Sequence, residues 1–181
     1  MAAERPFPPI DELSALGDAD FAEAVAPLFE GAPRFVARLA AARPFESDEH
    51  LLAEARRIAR EMPEDEQIEL IDAHPRIGGE PAEMSTLSQA EQGYVAEGDT
   101  YDPEAWVGEE LAALNDAYES RFGFRFVVFV AGRPRREIIP ILEAALRSAE
   151  RDEEIRRALD DIVLISGDRL RALRGQSNEA P

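Results

Sequence analysis

Apolar residues recur at steps of three and four along most of the chain, which is the spacing of one face of an α-helix. The clearest run extends from Val107 to Phe122, and Gly123 directly after it offers a helix end. A second strong run follows Ser47, whose hydroxyl suits the N-cap of a helix. The other predicted helices contain Phe21 to Leu28, Phe35 to Leu39, Ile68 to Leu70, Ile138 to Ala145 and Ile155 to Leu173.

One apolar segment departs from this spacing. Residues 124–130, FRFVVFV, combine aromatic and β-branched side chains ahead of Gly132 and Pro134, and this composition predicts extended backbone. We therefore predict an all-α fold, a single-domain helical bundle with one short extended segment at about 124–130. The domain is expected to span residues 1–174, with a flexible C-terminal tail at 175–181.

The charge balance bears on partners. Thirty-eight acidic residues against 20 basic ones give a formal charge of −18, which repels nucleic-acid phosphates and anionic membrane surfaces. We therefore expect neither a nucleic acid nor a membrane as partner. The residues after Met1 lack the apolar run of a signal peptide, and no stretch reaches the roughly 18 apolar residues of a membrane span. A cytoplasmic protein is the expectation.

The reactive side chains are few. The chain has no cysteine, which removes disulfides, thiolate nucleophiles and cysteine-based metal sites. With two histidines, His50 and His74, a metal would need mostly carboxylate ligands, and no such cluster is evident. We expect no metal, and chemistry carried by oxygen and nitrogen groups.

His74 is a candidate acid–base residue. It precedes Pro75, which biases it out of the helical region, so it should lie where a helix ends and an irregular loop begins. The helix C-terminus favours the protonated ring and would keep the pKa near the range useful at neutral pH. The alternative is a histidine that only caps the preceding helix. His50, in an exposed first turn, is expected to be solvated.

Glu91 also has two interpretations. Ser88 and Glu91 have the spacing of a capping box, in which the serine accepts a backbone N–H and the glutamate reaches back to the cap. A functional role would instead require Glu91 to point at His74 or at a ligand.

Arg169 lies close to the apolar stripe of the last predicted helix. Its long side chain could snorkel to the surface at the edge of that stripe. Alternatively, its guanidinium could present a planar fork to a substrate carboxylate, a geometry that lysine does not offer.

The apolar run from Phe126 to Val130 could simply be buried core. An extended segment without partners on one side would, however, offer backbone N–H and C=O groups to a planar polar ligand.

Five motifs in order resemble the 2-oxo-4-hydroxy-4-carboxy-5-ureidoimidazoline (OHCU) decarboxylase family. The likeness spans nearly the whole chain, and the HPRIG and S-x-x-E-Q motifs ahead of R-F-G-x-x-F are its most specific part. The motifs are ARPF at 42–45, AHPRIGG at 73–79, SQAEQ at 88–92, LNDAYESRFGFRFVVFV at 114–130 and RLRAL at 169–173.

The resemblance implies a helical, typically homodimeric enzyme that needs no metal or organic cofactor. It would decarboxylate OHCU to (S)-allantoin in urate breakdown, part of purine catabolism. By this resemblance His74 matches the catalytic proton donor, Glu91 the carboxylate of S-x-x-E-Q, and Arg169 the arginine of the final helix. The implied substrate contacts are Pro75, Ser88, Gln92 and the main chain of Phe126, Val127, Val128, Phe129 and Val130.

The chain departs from the family pattern at two places. After the HP motif it has Ile77-Gly78-Gly79-Glu80, and ahead of the arginine of the final helix it has Ser166-Gly167-Asp168. These departures leave open a decarboxylase of the same fold that acts on another ureido or β-keto acid. An inactive helical binding module is the remaining alternative.

Overall fold

The computed structural model describes residues 7–79, 82, 84–93 and 105–178. Over these ranges the chain is helical and contains no strand, which confirms the all-α prediction. The α-helices are α1 Ile10–Ala15, α2 Asp18–Phe29, α3 Pro33–Ala41, α4 Asp48–Glu61, α5 Glu64–Ala73, α6 Thr86–Glu91, α7 Ala105–Phe122, α8 Ile139–Ser148 and α9 Arg151–Asn178.

The last helix extends beyond the predicted end of the domain. Helix α9 continues to Asn178, so the first four residues of the predicted tail at 175–181 are helical. Residues 179–181 lie outside the described residues, as does Glu80 of the first departure from the family pattern. None of the described helices is both long and apolar enough to span a membrane.

Helix α9 packs against α2, α4 and α5 and forms the centre of the bundle. Gly167 allows a close approach to α4, because a Cβ atom built there would lie 3.3 Å from Cδ1 of Leu52. Helix α4 begins at the predicted N-cap, where the Ser47 hydroxyl accepts the backbone N–H of His50 at 3.1 Å. His50 is half-buried, so its side chain is partly rather than fully solvated, and its Nδ1 accepts the N–H of Glu46 at 3.2 Å.

An aromatic cluster holds the non-helical segment 124–130 against α7. The fully buried Tyr118 ring lies 4.5 Å from Phe122, 5.8 Å from Phe124 and 5.1 Å from Phe126, measured between centroids. Gly123 allows the segment to lie against α7. Its φ of +82° ends the helix and turns the chain back along it. The segment pairs with no strand among the described residues, so its backbone polar groups need other partners.

Arginines supply partners along one side of this segment. Arg157 of α9 donates to the carbonyl of Val127 at 2.7 Å, and its guanidinium lies 4.7 Å from the Phe126 ring centroid. Arg133 donates to the carbonyls of Phe129 and Val130 at 2.5 and 2.9 Å. The segment is thereby fixed between α7 and α9 without a sheet.

Candidate active site

A cavity of about 240 Å³ lies between the end of α5, α6, the segment 126–132 and α9. It is the place where the candidate residues from distant parts of the sequence come together. All eleven line it: His74, Pro75, Ser88, Glu91, Gln92, Phe126, Val127, Val128, Phe129, Val130 and Arg169.

His74 is the C-cap of α5, as the following proline predicts. Its Nδ1 lies 3.0 Å from the carbonyl oxygen of Leu70. A carbonyl can only accept, so Nδ1 carries the hydrogen in the neutral ring and Nε2 carries a lone pair. Nε2 is buried and has no hydrogen-bond partner among the described residues. The ring thus both caps the helix and keeps one nitrogen free at the cavity.

The predicted near-neutral pKa of His74 is wrong. Burial disfavours the charged imidazolium and lowers the pKa of His74 to about 4. The bond to Leu70 and the charge of Glu30 oppose this shift, whereas the charge of Arg169 adds to it. The sequence argument considered the helix end and not the loss of water around a ring that is 2% exposed. The imidazole is therefore neutral at pH 7 in the free protein.

Arg169 is buried, so the snorkelling interpretation is wrong. Its Nε and Nη2 donate to the two carboxylate oxygens of Glu91 at 2.7 and 2.9 Å. Nη2 also lies 2.8 Å from Oε1 of Glu30 and donates to the Ser88 hydroxyl at 2.9 Å, while Nη1 donates to the carbonyl of Pro27 at 2.8 Å. Although burial alone would lower it, the carboxylates of Glu91 and Glu30 hold the pKa of Arg169 above its ordinary value.

The fork of Arg169 is consequently occupied by Glu91 and is not free to grip a second carboxylate. Of its five donor hydrogens, one on Nη1 has no acceptor in the described part of the chain. Arg169 can thus offer one hydrogen bond and a positive charge to a bound ligand.

The capping-box interpretation of Ser88 and Glu91 is wrong. Helix α6 begins three residues earlier, where the Ser85 hydroxyl accepts the backbone N–H of Ser88 at 3.2 Å. Ser88 lies inside the helix, and its hydroxyl donates to Oε1 of Glu30 at 2.7 Å. Glu91 is the last residue of α6, and it pairs with Arg169 instead of reaching back to a cap.

Gln92 ties α6 to the loop after His74. Its Oε1 accepts the N–H of Gly78 at 2.8 Å, and its Nε2 donates to the carbonyl of Arg76 at 3.2 Å. Gly78 has a φ of +73°, and a Cβ atom there would lie 2.9 Å from Leu111. Only glycine meets both conditions, which accounts for the first glycine of the Gly78-Gly79 pair. The loop that carries Pro75 into the cavity is therefore held firmly.

The segment 126–130 presents unpaired main chain to the cavity. Arginines occupy the carbonyls of Val127 and Phe129, and the carboxylate of Asp161 accepts the N–H of Phe129. Within the described ranges, the N–H and C=O of Val128 have no hydrogen-bond partner. Val128 lines the cavity, so these groups are available to a ligand there.

Glu30 belongs to the same cluster and was missed from the sequence. It is the C-cap of α2 with a left-handed φ of +49°, a conformation that costs a side-chain-bearing residue roughly 1–2 kcal/mol. A carboxylate at a helix C-terminus is also disfavoured by the helix dipole. In the sequence, the available signal was an acidic residue directly before the predicted helix end at Gly31, but the partners of Glu30 are 55 or more positions away.

The electrostatics of this cluster favour an ionised Glu30. Burial raises its pKa, but the hydrogen bond from Ser88 and the charge of Arg169 outweigh burial, so the pKa of Glu30 lies below its ordinary value. The described residues contain no group of three or more histidine, aspartate or glutamate side chains that could hold a metal ion.

Fold and cavity together define an all-α protein with a site for a small polar molecule, lined by an imidazole, a guanidinium and its paired carboxylate and supported from behind by Glu30. The chain belongs to the OHCU decarboxylase family, whose family model matches residues 14–171.

Two curated relatives and one solved structure illustrate the similarity. The chain is 32% identical to the 2-oxo-4-hydroxy-4-carboxy-5-ureidoimidazoline decarboxylase of Haloferax volcanii, over 89% of this chain and 93% of that protein. It is 33% identical to the uric acid degradation bifunctional protein of Bacillus subtilis, over 89% of this chain but 32% of that protein. A crystal structure of OHCU decarboxylase in the presence of (S)-allantoin has the same fold, with a TM-score of 0.65 at 22% identity, over 87% of this chain and 98% of that chain.

Proposed function

We propose that this protein is a carboxy-lyase that converts OHCU to (S)-allantoin in urate breakdown, with His74, Glu91 and Arg169 as its principal active-site side chains. The observation that carries the proposal is the unpartnered, buried Nε2 of His74 in the cavity that Arg169 and Glu91 also line. Membership of the family supports the reaction class. The name of the Haloferax volcanii relative supports the substrate.

The reaction can be written without an external electron acceptor. The bond to the carboxylate breaks and carbon dioxide leaves, and its electron pair forms a double bond to the neighbouring ring carbon as the imine nitrogen takes a proton. The adjacent hydroxyl then loses its proton to become a carbonyl, and the carbon that bears the ureido group gains one. The proton on the imine nitrogen comes from solvent and is the one consumed in each turnover. The proton that leaves the hydroxyl can reach the ureido-bearing carbon through a side chain that accepts and returns it.

His74 suits that task in its neutral form. Nε2 carries a lone pair because Nδ1 donates to Leu70, so Nε2 can accept the proton of the substrate hydroxyl. The resulting imidazolium is the proton donor, and it returns the proton to the ureido-bearing carbon from one face of the ring. A fixed donor position accounts for a single stereoisomer of the product.

Charge also links the substrate to the proton on His74. With a neutral imidazole, Arg169 contributes one positive charge to the cluster, whereas Glu30 and Glu91 contribute two negative ones. A substrate carboxylate adds a third, which raises the affinity of the imidazole for a proton. Substrate binding therefore makes the neutral imidazole a stronger base toward the hydroxyl proton and stabilises the imidazolium that then donates.

The remaining candidate residues orient the substrate. The free N–H and C=O of Val128 support main-chain contacts from the segment Phe126 to Val130, and Pro75 forms part of the cavity wall. Ser88 holds Glu30 and Arg169, and Gln92 holds the loop, so in the free protein both positions arrange the site. We propose that each also contacts the substrate.

We further propose a homodimer, which rests on the resemblance to the family, and a cytoplasmic location. Light scattering after size-exclusion chromatography tests the first, because a dimer has twice the 20.0 kDa mass of one chain. A mass of one chain at micromolar concentration would contradict it.

The activity is tested with freshly prepared OHCU and circular dichroism. We expect the ellipticity of (S)-allantoin to appear faster than in the uncatalysed control, in which the product is racemic. Loss of substrate without an optically active product would point to another reaction. Stabilisation by allantoin without turnover would indicate an inactive binding module.

A further inference from the structure

Glu30 lies behind the cavity wall and contacts two of the residues that form it. One of its oxygens, Oε1, accepts hydrogen bonds from the hydroxyls of Ser88 and Ser85 at 2.7 and 3.1 Å. The same oxygen lies 2.8 Å from Nη2 of Arg169. Its side chain is 13% exposed. Three donors on one oxygen mark a carboxylate that fixes the directions of its neighbours.

The backbone of Glu30 indicates that the side chain, rather than the turn, requires this residue. Its φ of +49° is followed by Gly31 at +74°, and both N–H groups bond to the carbonyl of Ala26. Such a helix end favours glycine or asparagine at the left-handed positions. A glutamate there is unfavourable for the helix, and strained residues of this kind concentrate at functional sites.

Two carboxylates, Glu30 and Glu91, and two guanidiniums, Arg169 and Arg125, surround His74, and Asp168 of α9 also lines the cavity. Arg169 from α9 opposes a proton on the ring, and Glu30 from α2 favours it. Glu91 from α6 is paired with both Nε and Nη2 of Arg169, and Arg125 contacts the main-chain carbonyl of His74 rather than the ring. Glu30 is therefore the carboxylate whose charge acts on the imidazole.

We propose that Glu30 is a positioning residue of the active site, which aims the Ser88 hydroxyl and the Arg169 guanidinium and supplies the negative charge that a protonated His74 needs. The inference rests on the proposed function for its kinetic consequence. It does not require that function for its effect on the imidazole itself.

The kinetic test compares Glu30→Gln with Glu66→Gln. Glu66 is a matched control because its side chain is 14% exposed and pairs with Arg38 at 2.5 Å between α3 and α5, away from the cavity. We expect Glu30→Gln to lower kcat by about 10–100-fold, the range found when the hydrogen-bond partner that orients a metal ligand is removed. The acid limb of the kcat profile, where His74 becomes protonated and can no longer accept the hydroxyl proton, should move to lower pH, because removing a negative charge lowers the pKa of the imidazole. Glu66→Gln should leave both unchanged.

A second variant separates the effect of the charge at position 30 from the effect of the side-chain length. Glu30→Asp keeps the charge but is one methylene shorter, so we expect kcat to fall while the acid limb stays near its wild-type position. It also serves if Glu30→Gln does not fold. Kinetics of Glu30→Gln that match those of Glu66→Gln would overturn the proposal, as would a lower kcat with an unmoved limb.

An NMR measurement tests the inference without turnover. The chain has two histidines, so ¹⁵N-labelled imidazoles give one set of signals each, and His50→Asn assigns them. On acidification the protonated fraction of His74 should be lower in Glu30→Gln than in the wild type at the same pH. Equal fractions at every pH would overturn the role of Glu30. An inactive wild-type protein would overturn only the proposed function and leave this result valid.

Discussion

Arg169 and Glu91 form a two-point ion pair across 78 positions of sequence, with Nε and Nη2 at 2.7 and 2.9 Å from the two carboxylate oxygens. Because this contact fills the arginine fork, Arg169 acts on a ligand through its charge and one remaining hydrogen. The pair also joins α6 to α9, so it serves both the chemistry and the closure of the cavity.

Glu91→Gln should therefore impair both activity and stability. The amide can still hydrogen-bond to Arg169, but the buried guanidinium loses a charged partner, which we expect to destabilise the fold by about 1.5–3 kcal/mol. The kcat/KM should fall by at least about tenfold as the arginine shifts. Denaturant unfolding and steady-state kinetics on one preparation measure the two effects. Normal turnover with lowered stability would assign Glu91 a purely structural role.

His74→Asn should lower kcat by about 10²–10⁴-fold, the range that general acid–base catalysis contributes. The asparagine amide retains a donor for the carbonyl of Leu70, so the protein should stay folded. His50→Asn is the matched control because it removes the other histidine, which lies outside the cavity. A His74→Asn enzyme as active as His50→Asn would contradict the assignment of His74.

Stability should fall between pH 7 and pH 4 because His74 is buried as a neutral ring. Its pKa is about 4 in the folded state and about 6.5 when unfolded, so the unfolded chain binds more protons in this window. The contribution is fully present above pH 6.5 and decreases as the pH falls, by roughly 2 kcal/mol at pH 5. His74→Asn should lose less stability over the same window. Parallel pH dependences of the two proteins would refute the burial argument.

Gly78→Ala should be more damaging than Gly123→Ala. Both glycines have positive φ, at +73° and +82°, so both substitutions carry the backbone penalty. A methyl group at Gly78 would also lie 2.9 Å from Leu111, whereas Gly123 has open space. We expect an extra destabilisation of about 1–3 kcal/mol at Gly78, with a raised KM because the loop carrying Pro75 shifts. Equal losses for the two variants would mean that the loop yields easily.

Several features were predictable because they depend on neighbours in sequence. The steps of four, three, four and four from Val107 to Phe122 predicted α7, and Pro75 predicted that α5 ends at His74. The position of Arg169 near an apolar stripe indicated that its charge needed a partner. The resemblance to the family grouped the remaining residues, and the structure brings all of them to one cavity.

The errors arose where tertiary contacts decide. Ser85 and Ser88 both suit an N-cap, and Ser85 takes that position. The sequence does not reveal that the Ser88 hydroxyl instead hydrogen-bonds to Glu30 and Arg169. The pKa of His74 depends on the burial of its ring, which the helix-end argument omits. Glu30 has no periodic pattern to mark it, because its role arises from partners on α6 and α9.

The bond between Nδ1 of His74 and the carbonyl of Leu70 has a consequence for the evolution of the site. Its acceptor belongs to the peptide backbone, so substituting the side chain at position 70 leaves the acceptor in place. Single side-chain substitutions in the last turn of α5 therefore leave the tautomer of the imidazole unchanged, provided that this turn stays helical. Loss of the proton-accepting lone pair on Nε2 should therefore accompany unwinding of that turn.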